Sequence, residues 1–417
     1  MRLILRDLNV RSCWFIKLIT LVWMAVLLIS INACGGNSEE KDSSGGSDSV
    51  NSVAIESGEM PAPDGSQGEF TLADEMKAAR QLHSAIKLHD GHIFVVGGRG
   101  PGANLNNTVY ESAELYSPDS NEWTFTGSMV DQRHDLCASL LQDGKVLAAG
   151  GRGKLNMAMS TAEIWDPVTG EWSQAENLNT GRDYMPCLTL NDGRVLIIGG
   201  EERDYALLAT AELWDPSTGK WLEVSPMLAA RARHTATLLD DGRVLVTGGG
   251  KLDPPYEITS EIYNPTTDTW ATTAEMSTGR ASHSAVKLSD GNVLIVGGRG
   301  KKLTAEVYNP TTDMWTKVGN TEIPRSEASA ILMQDGKVLI TGGIGLRISG
   351  EIFDPDTGNW TRTVDMHDTR YRHQMILLDS GKILVDNNEI SEYLDKKGYS
   401  YQKLTDKELQ EKIADLI

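Results

Sequence analysis

The chain holds 417 residues, 40% hydrophobic and 6% aromatic, with 41 Gly and 58 acidic against 39 basic residues, a formal net charge of -19. That length fits two average domains or one large all-β domain, and so acidic a chain, with no basic stripe, repels phosphate and excludes nucleic acid as a partner. Four Cys in a chain of this size cannot form a disulfide framework.

Arg2, Arg6, Arg11 and Lys17 precede an apolar run at residues 18–31, the basic-then-apolar order of a secretory signal and too short to span a bilayer comfortably. The run ends in Ile31-Asn32-Ala33-Cys34, which resembles the lipobox of bacterial lipoproteins. The resemblance implies that residues 1–33 are a lipoprotein signal peptide and that Cys34 is the lipidation site, its acyl chains holding the protein on a lipid bilayer without crossing it. In the sorting rule of that class an Asp after the Cys marks the inner membrane. Gly35 stands there instead, which implies a lipid-anchored protein of the outer membrane, facing the periplasm or the cell surface. Residues 34–68, rich in Ser, Gly and acidic groups, bury too little to order and read as a flexible tether reaching about 30 Å.

From residue 69 to 403 one unit is written seven times. An Arg recurs at Arg80, Arg133, Arg182, Arg231, Arg280, Arg325 and Arg370, in steps of 53, 49, 49, 49, 45 and 45 residues, a period that means stacked supersecondary units of four short strands. Asp-Gly pairs from Asp90-Gly91 to Asp335-Gly336, and Ser380-Gly381 in the last copy, separate apolar runs as two-residue hairpin turns do. From each Arg to the first Gly of a Gly-Gly pair is 17 residues, and from each repeated Glu to the next Arg is 19, so every insertion falls in the loop between strands 2 and 3. That loop and the start of strand 1 share one face of the scaffold, where a binding site is expected.

Arg-x-x-His, the Gly-Gly closing strand 2, Ala-Glu-(Ile/Leu)-(Tyr/Trp)-Asp-Pro and the terminal Trp resemble Kelch repeats, in the manner of bacterial lipoproteins related to the central domain of galactose oxidase. The resemblance implies an all-β fold, a seven-bladed Kelch-type β-propeller with four antiparallel strands per blade. The seventh copy departs from the pattern, with Asn387-Asn388 for Gly-Gly and Tyr401 for Trp. Its outer strand is either the segment at Tyr401 or one at Phe70, which lies at the outer-strand offset before Arg80. Residues 404–417, opening on a capping box at Thr405 and Glu408, predict a short C-terminal helix.

Seven Arg and seven Glu, Glu114 to Glu392, read as structural pairs. His83, His234, His283 and His373 share a position that accepts Leu and Met elsewhere, and read as satisfied interior His. Neither a metal set nor a cofactor is expected, and no Tyr, His and Cys-linked Tyr set of the copper oxidases is found. Cys137 and Cys187 are offset by one register position in neighbouring copies; they are expected to face opposite ways and to remain free thiols. The positions that differ between copies are the ligand-binding candidates. After the repeated Arg these are His134, Asp135, Asp183, Tyr184, Arg233, Ser326, Glu327, Tyr371 and Arg372; in the variable loops they are Arg99, Arg152, Arg203 and Arg299, among Asn104, Lys154, Glu201, Asp204, Tyr205, Lys251, Tyr256, Lys301 and Arg347. No catalytic residue is assigned. The expected function is a monomeric membrane-anchored module that binds a protein or glycan through the loop face and funnel; the alternative is a carbohydrate-active enzyme, a sugar epimerase, mutarotase or oxidase, using the same funnel, and it requires a desolvated acid or base there.

Overall fold

The computed structural model describes residues 73–385, apart from 102–106, 252–253, 301, 345–347 and 367–368. The signal segment with Cys34, the tether, Phe70, Asn387-Asn388, Glu392, Tyr401 and the helix expected at 404–417 lie outside them. No α-helix occurs among the described residues.

Each apolar run between turn signals is a strand. In the first copy Ser84–Lys87, Ile93–Val96, Ala113–Ser117 and Glu122–Phe125 pair in that order as an antiparallel meander, and five more copies repeat it. Ile93–Val96 and its counterparts Val146–Ala149, Val195–Ile198, Val244–Thr247, Val293–Val296 and Val338–Thr341 are buried along their whole length. Both faces of each second strand are covered by neighbouring sheets, which explains apolar runs without alternation. The buried apolar side chains accordingly form clusters shared between successive copies.

Six sheets have four strands each, a correction to the seven expected. The seventh copy contributes a two-stranded sheet among the described residues, Met375–Leu377 with Ile383–Val385. Ile376 and Leu384 of that pair, with Leu378 just after its first strand, bury against Ile93, Val95 and Trp123 of the first copy, so the ring of sheets closes through it. Trp123 donates its indole N–H to Asp74 O at 3.0 Å, as Trp172, Trp221 and Trp270 donate to Gly127, Glu176 and Ser225 just after the outer strand of the copy before.

The repeated Arg is the hub. Arg182 donates Nη1 to the carbonyls of Gly199 at 2.9 Å and Thr210 at 2.8 Å, and Nη2 to Thr210 Oγ1 at 3.1 Å and Glu212 Oε1 at 2.7 Å. Glu212 in turn accepts the backbone N–H groups of Asn179 and Thr180. The same pairing holds for Arg80, Arg133, Arg231, Arg280 and Arg325 with Glu114, Glu163, Glu261, Glu306 and Glu351, every Arg at most 1% exposed. Between copies, the second Gly of each pair donates to the carbonyl of the next repeated Arg, as Gly151 does to Arg182 at 2.8 Å. This approach requires Gly: both residues of the pair have positive φ, and a Cβ on Gly97 would lie 2.5 Å from Arg133 O.

Cys137 and Cys187 form a disulfide, contrary to the expectation of free thiols. The one-position offset does turn them opposite ways, and that is why they meet. Adjacent sheets stack face to face, so a side chain pointing forward from Cys137–Leu140 reaches one pointing back from Cys187–Thr189.

Two outcomes test this frame. Glu212→Ala leaves Arg182 buried and unpaired and is expected to lose about 3–5 kcal/mol of stability in chemical denaturation, where an exposed pair would lose less than about 1. Peptide mapping without reduction is expected to recover Cys137 and Cys187 linked, and Cys137→Ser with Cys187→Ser to lower stability by roughly 2–4 kcal/mol.

Candidate functional site

The second residue after each repeated Arg is left-handed although none is Gly: Leu82, Asp135, Tyr184, Arg233, Ser282, Glu327 and Arg372, with φ between 49° and 57°. Each such residue costs ~1 kcal/mol or more. The turn aims backbone groups across the gap between copies: Asp135 N donates to Leu82 O at 2.8 Å, Arg233 N to Tyr184 O at 3.0 Å, Ser282 N to Arg233 O at 2.9 Å, Glu327 N to Ser282 O at 3.0 Å and Arg372 N to Glu327 O at 2.9 Å. A girdle of main-chain bonds thus lines the loop face, joining the first copy to the second and the third through the seventh in series. Because it uses only backbone, the side chains on it are free to differ.

Two charged chains stand on this girdle. In the first, Arg152 pairs with Asp183 and lies 3.7 Å from Glu201, which also takes both terminal nitrogens of Arg233. The Arg233 guanidinium lies 4.0 Å over the Tyr184 ring, and Arg152 lies over both Tyr184 and Tyr205. In the second, Glu327 joins Arg299, at 2.5 Å, to Arg372. His134 Nδ1 meets Asp135 Oδ2 at 2.7 Å.

Asp183 is the most perturbed carboxylate of the set. It is wholly buried, and its Oδ1 has no hydrogen-bond partner. Burial pushes its pKa up to about 6; the Arg152 bond opposes the rise, and the nearby Asp135 and Glu201 charges add to it. Tyr184 is likewise raised, chiefly by burial.

The structure therefore brings together ten of the thirteen candidates: His134, Asp135, Asp183, Tyr184, Arg233, Glu327, Arg372, Arg152 and Arg299 by side-chain contact or charge, and Ser326 beside Glu327 on the girdle. Tyr371 lies under the Arg372 guanidinium, 5.8 Å from it. Arg99 bonds through its backbone to Gln81 and joins neither chain, and Arg203 is exposed in the short 3-10 turn whose Tyr205 lies under Arg152 but joins neither chain itself. Glu201, which joins two Arg, is central although its sequence position marks it only as a loop acid. The left-handed girdle left no signal, since Leu, Tyr and Arg do not advertise positive φ.

The four repeat-position His are buried. His283 Nε2 meets Thr235 and Thr247 hydroxyls, each at 3.0 Å, and burial pushes its pKa down to about 3. His373 Nε2 meets Thr341 Oγ1 at 2.8 Å. His234 corrects the reading of satisfied His: neither ring nitrogen makes a hydrogen bond of ordinary geometry, and burial holds it well below the usual His range. Among the described residues no group of three or more His, Cys, Asp or Glu is placed to hold a metal.

The Kelch motif matches residues 88–130, 135–179 and 184–228. An F-box/kelch-repeat protein of Arabidopsis thaliana is 33% identical over 90 residues, 22% of this chain and 19% of that protein. A second from the same plant is 27% identical over 111 residues, 27% of this chain and 28% of that protein. The chain thus spans less than a third of the length of these curated relatives. A fungal alcohol oxidase of the AA5 family, solved in complex with copper, superposes with a TM-score of 0.61 over 76% of this chain and 72% of that one at 18% identity, which shows a shared fold alone.

The shift at Asp183 has a sign. With a folded pKa of about 6 above the ordinary 3.8, the native state binds more protons between those values, so the stability Asp183 contributes falls as pH rises from about 4 to about 6. Compared with Asp183→Asn, the wild-type protein is expected to lose on the order of 3 kcal/mol across that window. A pH-independent difference in melting between the two would rule the shift out.

Proposed function

For a chain of Kelch repeats folded as a Kelch-type β-propeller, we propose the role of a lipid-anchored binding module of a bacterial cell envelope, which takes a protein or glycan ligand at the axial mouth of the loop face. Kelch propellers commonly bind protein partners. The observation that carries the reading is the contrast between positions. The Arg, Glu and Gly-Gly frame is repeated copy after copy, whereas the girdle side chains between those same positions change from Leu to Asp, Tyr, Arg, Ser and Glu. Varied polar groups on an invariant backbone are what a recognition site requires.

Anchoring is supported by the basic-then-apolar leader and the Cys34 motif, and export by the Cys137–Cys187 disulfide, since such bonds persist in oxidising compartments. Placement at the outer membrane rests on Gly35 alone.

The enzymatic alternative draws on Asp183, a desolvated carboxylate of the kind a general acid or base needs. It ranks second because Asp183 is wholly buried behind Arg152.

Two experiments test the reading. A glycan and monosaccharide screen by thermal shift, joined to crosslinking on intact envelopes, is expected to yield a ligand whose binding is lost in both Arg233→Ala and Arg372→Ala; retention in both would move the site elsewhere. Cys34→Ala is expected to release the protein from the membrane fraction, and continued membrane association would remove the acyl anchor from the reading.

A further inference from the structure

The repeats allow one half of the mouth to be compared with the other, because positions three copies apart are equivalent. The second to fourth copies place Arg152, Asp183, Glu201 and Arg233 there, with Asp135 on the girdle. The fifth to seventh copies keep both Arg, as Arg299 and Arg372, but have Ser326 for Asp183, Ile344 for Glu201 and Ser282 for Asp135. Glu327, at the position of Tyr184, is the only carboxylate of this second set. Arg152 and Arg233 thus contact two carboxylates, Asp183 and Glu201, whereas Arg299 and Arg372 share one by contact, Glu327, with the Asp135 charge also acting on Arg372.

The contacts show the same deficit. Arg372 engages Glu327 through Nε, and Arg299 engages Glu327 through Nη2 and Ser282 Oγ through Nε at 3.3 Å. The Ser326 hydroxyl, at the position where Asp183 answers Arg152, is shut from solvent with no partner. A hydroxyl shut from water without a partner is costly, and the guanidinium groups of Arg299 and Arg372, each part-exposed beside it, are shaped for a carboxylate.

We propose that the mouth binds a carboxylate on the side of Arg299 and Arg372, with Ser326 as a third donor, where the other side holds its own carboxylate in Asp183. The inference rests on the mouth being the ligand site and names the group recognised there. The carboxylate belongs either to an acidic sugar or to an acidic side chain of a protein, and the two sources are separated by the probes. Ser326→Asp builds the missing acid into the protein and serves as the discriminating variant; Arg372→Gln removes a donor instead.

The test is calorimetric titration of the full-length protein in detergent with D-glucuronate against D-glucose, and with a Glu-containing tripeptide blocked at both ends against its Gln twin. The acidic member of at least one pair is expected to bind at least tenfold tighter than its neutral twin, and to lose at least tenfold in both Ser326→Asp and Arg372→Gln. Ser326→Asp is also expected to melt no lower than the wild type, which separates a filled site from a damaged fold. The pair that responds identifies the source. Equal binding of twins, no binding of either acid, or full affinity in Ser326→Asp would each overturn the proposal. If the ligand found by screening is indifferent to Ser326→Asp, the carboxylate assignment falls while the binding site stands; if nothing binds at all, both fall.

Discussion

Everything in this propeller hangs on one buried ion pair, made six times among the described residues. A guanidinium removed from water is tolerable only when its charge is answered, and here each of these Arg makes four ties at once. Its side chain closes the end of strand 2, fixes the strand that follows the variable loop and neutralises a Glu, which itself caps two backbone N–H groups of the incoming chain. Its carbonyl takes the Gly N–H of the neighbouring copy. Within a sheet and between sheets, the same residue is the tie.

That constraint accounts for where variation is allowed. The two residues after the Arg lie in a left-handed turn whose N–H reaches the copy before through backbone alone, so the turn does not dictate their side chains. The charged chains through Glu201 and Glu327 occupy these positions and the one after Gly-Gly. The price of the arrangement is strain at non-Gly residues, met by the inter-copy bonds it creates.

Much of this was legible in the residues. The 17-residue spacing from Arg to Gly is the distance over which the Nη1 bond closes, and the 12-, 8- or 16-residue variability lies where the loops are. Most of the candidate residues also came from the sequence, because departure from a repeat is visible without coordinates. Three particulars were not. The pairing of Cys137 with Cys187 depends on sheets stacking face to face, which reverses the meaning of a register offset. The lack of a full hydrogen bond at His234, where His283 has two Thr hydroxyls, depends on which side chains the neighbouring copy supplies. The count of four-stranded sheets depends on the last copy, whose Asn387-Asn388 and Tyr401 already break the pattern.

The sequence by itself determined the unit: its strands, its turns, the Arg and Glu that must pair, and the face on which loops vary, since period and spacing are properties of a single copy. Only the tertiary structure decided what lies between copies. The disulfide, the left-handed girdle and the uneven sharing of carboxylates among Arg152, Arg233, Arg299 and Arg372 are contacts between residues about 30 to 50 positions apart. They arise because each sheet buries both faces against its neighbours, and no local pattern records which side chain a neighbour will present.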